Sequence, residues 1–490
     1  VWDGGGSDVL ASDGANWVGG RAPRSGDSVW YDATSSKTCF WDDAVDVDSF
    51  TLAADFTGTV YFKTSSTVTV VEVAGGSLQM PSSSTVTVTG ALRLDGSGGM
   101  NWGRGRLRLK GDMAVEGGGC CSWVSNLDQA ILEVSGDRYQ VLAGTGQVEL
   151  PTLEVNSSSS VAWGFAASPY QQAQAVILSS GDLRMDASEL ATSRWTQTGG
   201  TFEPGASTIA FVAVAPAVAA EAAPLAGQPF ANVRVGRLDN SPVLLTALAP
   251  LTMTGGFTIS TGAFHAGAYT HTAGGDWLEP GGPSSFDAGG RLVLSGSASR
   301  SVSFSAGSAL QAVEVDSPST TTFLTAFSAS AVSATAAGTS LVFEAGSTVT
   351  VAGLTLGAPG LAARVALRSS TPGSPWHLVV TSTASAVRVD AADSDASGGL
   401  TVPAADGTSL NSGGDRNWDF GDPPPAAPGT PQGTALGVSS VSWTWAASAR
   451  AEEYKVLAAA GGAVLAAPAT TAWLETGLAP DSTAAVAVEA

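Results

Sequence analysis

The acidic word Asp42-Asp43-Ala44-Val45-Asp46-Val47-Asp48 holds the densest run of carboxylates in the chain. Paired carboxylates can act as general acid and base on a glycosidic bond, or serve a lyase when Arg or Lys shares their sheet face. Here Asp46 and Asp48 would share one strand face, with Val45 and Val47 opposite, which is also the pattern of an ordinary half-buried strand. A second word, Asp393, Asp395, Ser397 and Gly398, imitates the first half of a calcium loop. Its twelfth position is Ala404 where a bidentate Glu belongs, so a turn explains the same residues. His265 and His271 lie six apart, which is no metal-ligand spacing, and His377 stands alone. No Gly-x-Ser-x-Gly elbow, phosphate loop, Cys-x-x-Cys or Arg-Gly-Asp occurs. These residues assign no catalytic, cofactor or metal site, and the chain reads as no enzyme and as needing no cofactor.

The elements that would position such groups are short strands. Leu153-Glu154-Val155, Val233-Arg234-Val235 and Val313-Glu314-Val315 recur at equal intervals, each followed by a polar turn and another apolar strand. Successive side chains of a strand point to opposite faces, so each word buries two apolar residues and exposes a charge. A three-residue strand cannot bury its apolar side alone, which predicts stacked coils of a β-solenoid. At about 20 residues per turn the interval reads as about four turns, which puts Glu154, Arg234 and Glu314 at related outer positions, about 20 Å apart and unable to pair. Strand-like triplets such as Val68-Thr69-Val70 and Leu92-Arg93-Leu94 carry the rhythm upstream, with no helical period between them.

Composition agrees. The 490 residues carry 22 basic and 43 acidic side chains, a net charge of −21. That excludes a basic nucleic-acid surface and charge-driven adhesion to an anionic membrane. Low charge density with 60 Gly suits a β-rich extracellular scaffold. No run of 18 apolar residues predicts a membrane span. Val1 reads as a mature or trimmed amino terminus. Cys39, Cys120 and Cys121 leave at least one thiol unpaired; a bridge from Cys39 to either neighbour is one option, and buried thiols are the other.

The opening words Trp2-Asp3-Gly4-Gly5-Gly6, Asn16-Trp17 and Gly26-Asp27 resemble those of secreted bacterial β-helix proteins, including autotransporter-like passenger domains and strand-repeat surface proteins. Asp393-Ser394-Asp395-Ala396 followed by Asn417-Trp418 resembles the end of the same class of region. Trp2, Trp17 and Trp418 are expected to cap the coil ends rather than stack on sugars. After the Pro-rich linker, Val441-Ser442-Trp443-Thr444-Trp445, Glu453-Tyr454-Lys455-Val456 and Trp473-Leu474-Glu475 resemble a fibronectin type III domain. It departs from that pattern at Ala484, where a corner tyrosine belongs, and it lacks a last strand. The missing strand reads as truncation of a longer chain rather than strand donation by another molecule.

The expected architecture is therefore all-β: a cap over residues 1–32, a parallel β-solenoid over 33–420 with 80-residue repeats near 148–357, a linker at 421–428 and a partial fibronectin type III-like sandwich over 429–490. The expected role is a secreted or cell-surface structural protein, an adhesin stalk or a filament or sheath subunit. Its expected partners are copies of itself or other surface components, with no nucleic acid and no membrane span. A carbohydrate-active or carbohydrate-binding β-helix is the alternative.

Overall fold

The computed structural model describes residues 1–117, 129–165, 171–213, 219–236, 242–279, 290–306, 308–421, 425–449, 451 and 453–490. The chain divides into two compact units, Val1–Phe420 and Gly421–Ala490. The larger is a parallel β-solenoid of about 16 turns. Among the described residues its helical structure is limited to 3₁₀ geometry, at Gly14–Asn16 and at Gln129.

Every strand pairing within the solenoid joins one coil to the next in parallel, and buried apolar residues stack rung upon rung. Val29, Phe50, Val71, Leu92 and Met113 form one such ladder, with the same spacing at every step. None of the five is more than 2% exposed. Tyr31, Leu52, Val73, Leu94 and Val115 run beside them at the same interval. Burying a Phe or Leu this completely contributes about 2–3 kcal/mol, so a repeated ladder fixes the register of every coil it passes through. Coil-to-coil contact is close enough to dictate glycine at some corners. A Cβ on Gly111 would run into the Gly90 carbonyl oxygen one coil earlier, and one on Gly357, at φ 67°, into that of Val387.

The three repeat words do not sit four turns apart on one ladder. Leu153 stacks through Val176 and Trp195 to Ala222, and Val233 falls beyond that last rung, in a different ladder running Ile209, Val233, Phe257, Trp277 and Val302. Val313 in turn falls beyond Val302, in a third ladder with Leu292 and Val332. The interval between words therefore spans three turns and part of a fourth. Coil length is not constant here: the step from Val176 to Trp195 is shorter than that from Leu153 to Val176, and the step from Trp195 to Ala222 is longer than either. Each word consequently moves on to another ladder. The burial expectation holds: Leu153, Val155, Val233, Val235, Val313 and Val315 are all buried, while Glu154, Arg234 and Glu314 lie on the outside, half-buried.

At the amino-terminal end Trp2 and Trp17 are buried and meet edge to face with ring centroids 5.2 Å apart. The Trp2 amide donates to Trp30, and Phe40 exchanges backbone bonds with Val9 and Ala11, so residues 1–18 occupy the open edge of the first coil. These rings form core and leave no platform for a sugar. Trp418, half-buried, stacks on Phe420 and donates its indole N–H to Ser394 Oγ at 3.1 Å.

The smaller unit contains two three-stranded antiparallel sheets. One orders Gln432–Gly437, Ser440–Thr444 and Ala472–Thr476; the other orders Val464–Ala466, Lys455–Ala458 and Val486–Glu489. Trp443, Trp445, Tyr454 and Val456 are its buried core. Asp422, Pro423 and Pro424 of the linker lie outside the described residues.

Candidate functional site

The acidic word at Asp42 to Asp48 is engaged in holding coils. Asp42 accepts from the amide and hydroxyl of Ser12, at 3.0 and 2.7 Å, and Asp46 accepts from the Thr67 amide one coil later at 3.0 Å. Val47 is buried and Asp46 and Asp48 lie outside it, as the alternation predicts. This use recurs. Asp276 receives the Ser301 amide, Asp393 the Gly373 amide, Asp406 the Arg388 amide and Asp415 the Ser394 amide, each bond reaching across to a neighbouring coil. A carboxylate accepting backbone N–H groups satisfies corner amides that the ladders leave unpaired.

The calcium-like word resolves into the same chemistry. Asp395 accepts from the hydroxyl and amide of Ser397, which hold its carboxyl below the usual range, and Arg416 and His377 add to that. Asp393 is held by Gly373 on a left-handed backbone, φ 57°. Among the described residues no three His, Cys, Asp or Glu side chains converge as a metal site would require.

The histidines do not converge. His271 is fully buried; its Nδ1 accepts from the Leu251 amide at 3.2 Å while Nε2 lies 2.9 Å from the Ala266 carbonyl, so both ring nitrogens serve the fold. His265 is exposed on another strand. His377 pairs in register with Asp395, its Nδ1 3.9 Å from the carboxylate. With Arg416, 3.7 Å from the same carboxylate, it forms one small ionic group. A second group in the last coils brings Arg368, Asp390, Asp393 and Asp415 together from positions distant in sequence. Arg368 donates to Asp390 at 2.7 Å, and Ser412 to its other oxygen at 2.6 Å. Asp415 is raised to about 6, by burial first and by Asp393 and Asp390 besides. Ser397 donates to Asp395 rather than facing His377, so no nucleophile is aligned with a base.

A second network occupies the outside of the Leu153 ladder. Glu133, 3% exposed, accepts from Arg106 at 2.8 Å and Arg108 at 3.1 Å, and Arg106 also reaches Glu154 at 2.7 Å. Burial pushes the Arg106 guanidinium down, and Glu154 and Glu133 more than reverse it. Arg234 likewise reaches Glu189, so two of the three repeat-word charges pair with coils between the words or beside them. Arg300, 3% exposed, donates to the carbonyls of Ala273, Gly296 and Ala298 and to the hydroxyl of Ser317.

Cys39 is a free, buried thiol receiving the Tyr31 hydroxyl at 3.3 Å, and burial pushes it up to about 12. That is the small-apolar role rather than the bridge; Cys120 and Cys121 lie outside the described residues. No helix among the described residues is long and apolar enough to cross a membrane.

Comparison with known proteins adds no relative. The chain matches no family model, no curated protein and no solved structure.

Proposed function

We propose that the chain is a secreted or cell-surface bacterial structural protein, an adhesin stalk or a subunit of an extracellular filament or sheath, without catalytic activity. The observation that carries this reading is the use of ionisable side chains: Arg106, Glu133, Glu154, Arg234, Glu189, Arg368 and Asp390 bind one another between coils. Among the described residues these groups pair across coils and hold the stack in register. Parallel ladders over about 16 turns supply stiffness, and an excess of acid keeps copies soluble. The Trp/Gly opening words support the secreted β-helix class, and the three-plus-three sheets with their Trp443 and Trp445 core support a fibronectin type III-like module in the smaller unit. Immunogold labelling of intact cells of the source organism tests the assignment. Label on the outer surface or on shed material is expected, and label confined to the cell interior would contradict it.

A further inference from the structure

Asn156-Ser157-Ser158 is the one Asn-x-Ser/Thr word in the chain, and it directly follows the repeat word Leu153-Glu154-Val155. Such a word arises often by chance, so its placement in the fold decides whether it can act. Asn156 pairs with Ser180 and Ser160 with Asp182, which leaves Ser157, Ser158 and Ser159 opposite Gly181 alone. A bulge of this kind bows the strand out of its ladder. Gly181 makes room for it at φ 77°, since a Cβ there would meet the carbonyl oxygens of Ser159 and Ser157 at 2.5 and 2.9 Å. Ser157 is the inward anchor. It is 2% exposed, and its hydroxyl donates to the Gly136 carbonyl at 2.7 Å and accepts the Ser159 amide at 3.1 Å. With Ser157 turned in, Asn156 and Ser158 are both exposed on the outside.

We propose that Asn156 is a site of asparagine-linked glycosylation, taking its sugar from an activated glycosyl phosphate or pyrophosphate donor. The Ser180 hydroxyl donates to Asn156 Oδ1 at 3.0 Å, while Nδ2 has no partner among the described residues. The amide is thus oriented with its nitrogen free. In the transfer Nδ2 attacks the anomeric carbon of the sugar, the C1–O bond to the phosphate or pyrophosphate breaks as the C1–N bond forms, and the amide gives up one proton. The Ser158 hydroxyl, two residues on and also exposed, completes the acceptor word; its own contact, with the Gly136 carbonyl, is a long 3.5 Å.

The surroundings leave room for a glycan. The residues that continue the ladders at this corner are small: Ser135 and Gly136 one coil before, Ser180 and Gly181 one coil after, and Gly199 and Gly200 in the coil beyond. None carries bulk that would close over the amide. The turn that follows Gly136, from Asp137 to Tyr139, is itself exposed. On the amino-terminal side Glu154 is tied to Arg106 at 2.7 Å, which holds the strand that leads into the bulge. The site rests on the secreted or cell-surface reading, because a word of this type acts where a chain meets the secretory glycosylation machinery.

Peptide mass spectrometry of the protein recovered from its source organism, with fragmentation that leaves sugars attached, tests the assignment. A glycan on Asn156 is expected, lost in Asn156→Gln and in Ser158→Ala and retained in Ser158→Thr. A single hexose would identify a nucleotide-sugar donor, and a longer glycan a lipid-linked one. Both positions are exposed, so the variants should melt as the parent does. Should one misfold, the parent peptide alone decides. A bare Asn156, sugar on the neighbouring serines instead, or a glycan that survives Ser158→Ala would each overturn the proposal. Bare Asn156 on protein that immunogold labelling places at the surface sinks the modification alone, whereas a glycan on protein confined to the cell interior sinks the surface reading alone.

Discussion

Arg106 and Glu154 lie far apart in the chain and meet at 2.7 Å, spanning two coils over the outside of the solenoid. Between them lies Glu133, buried and shared with Arg108. The solenoid brings remote residues into ion pairs by stacking alone, since outward side chains of neighbouring rungs sit about 5 Å apart.

Glu133 is the keystone of this network. Replacing it with Gln keeps an acceptor oxygen but removes the buried negative charge that two guanidinium groups share, and should cost about 1–3 kcal/mol in urea unfolding. Glu154→Gln, at a more exposed position, should cost no more than about 0.5–1 kcal/mol. Equal effects would contradict the burial-based ranking.

Phe50 packs against Tyr31, Trp41 and Phe62, with ring centroids 5.3, 5.2 and 5.0 Å away. Phe50→Ala should destabilise the first coils by about 3–5 kcal/mol, whereas Glu72→Ala on the outer face should stay within about 0.5 kcal/mol. Hydrogen exchange should show the Phe50 loss concentrated in neighbouring rungs, because each coil touches mainly the coils beside it.

Asp415 gives the last coils a pH dependence. Its folded value of about 6 lies above its ordinary one, so the carboxyl is protonated more readily in the folded chain. Stability at this corner should rise as pH falls through about 6 toward about 4 and be lowest above that window. The gain is about 1–2 kcal/mol once partial solvent exposure is allowed for. Asp415→Asn should raise melting temperature at pH 7.5 and remove most of that slope, with the Asn carbonyl still accepting the Ser394 amide. A fall in stability between pH 7 and 5 in the parent, absent from the variant, would have the wrong sign.

Cys39, with its thiol pushed up to about 12 and its sulfur buried beside Tyr31, should resist thiol reagents in the folded protein. In a Cys120→Ser, Cys121→Ser background, labelling should wait for unfolding. Prompt labelling at neutral pH would show that the first coils open readily.

Much of the solenoid is legible in the chain. Val29, Phe50, Val71, Leu92 and Met113 spell out coils of one constant length, and the alternation in Leu153-Glu154-Val155 gives inside and outside correctly. The length of the turn is harder to read from the repeat words, because the coils that carry Leu153, Val176, Trp195 and Ala222 are unequal. Equal words then land on different ladders. The ionisable clusters are hidden for another reason. Arg106 with Glu154, or Arg368 with Asp390 and Asp415, become neighbours only once the rungs are aligned, and local spacing carries no trace of that. Asp393 and Asp395 look like a ligand pair in sequence, yet their bonds run to Gly373 and Ser397.

Electron cryomicroscopy of the protein in its native extracellular material tests the structural role most directly. The account expects end-to-end or laterally ordered arrays in which a strand spacing of about 4.8 Å repeats along the stacking axis of the coils. Isolated, unassembled particles in that material, with no ordered array and no attachment to the cell surface, would contradict it.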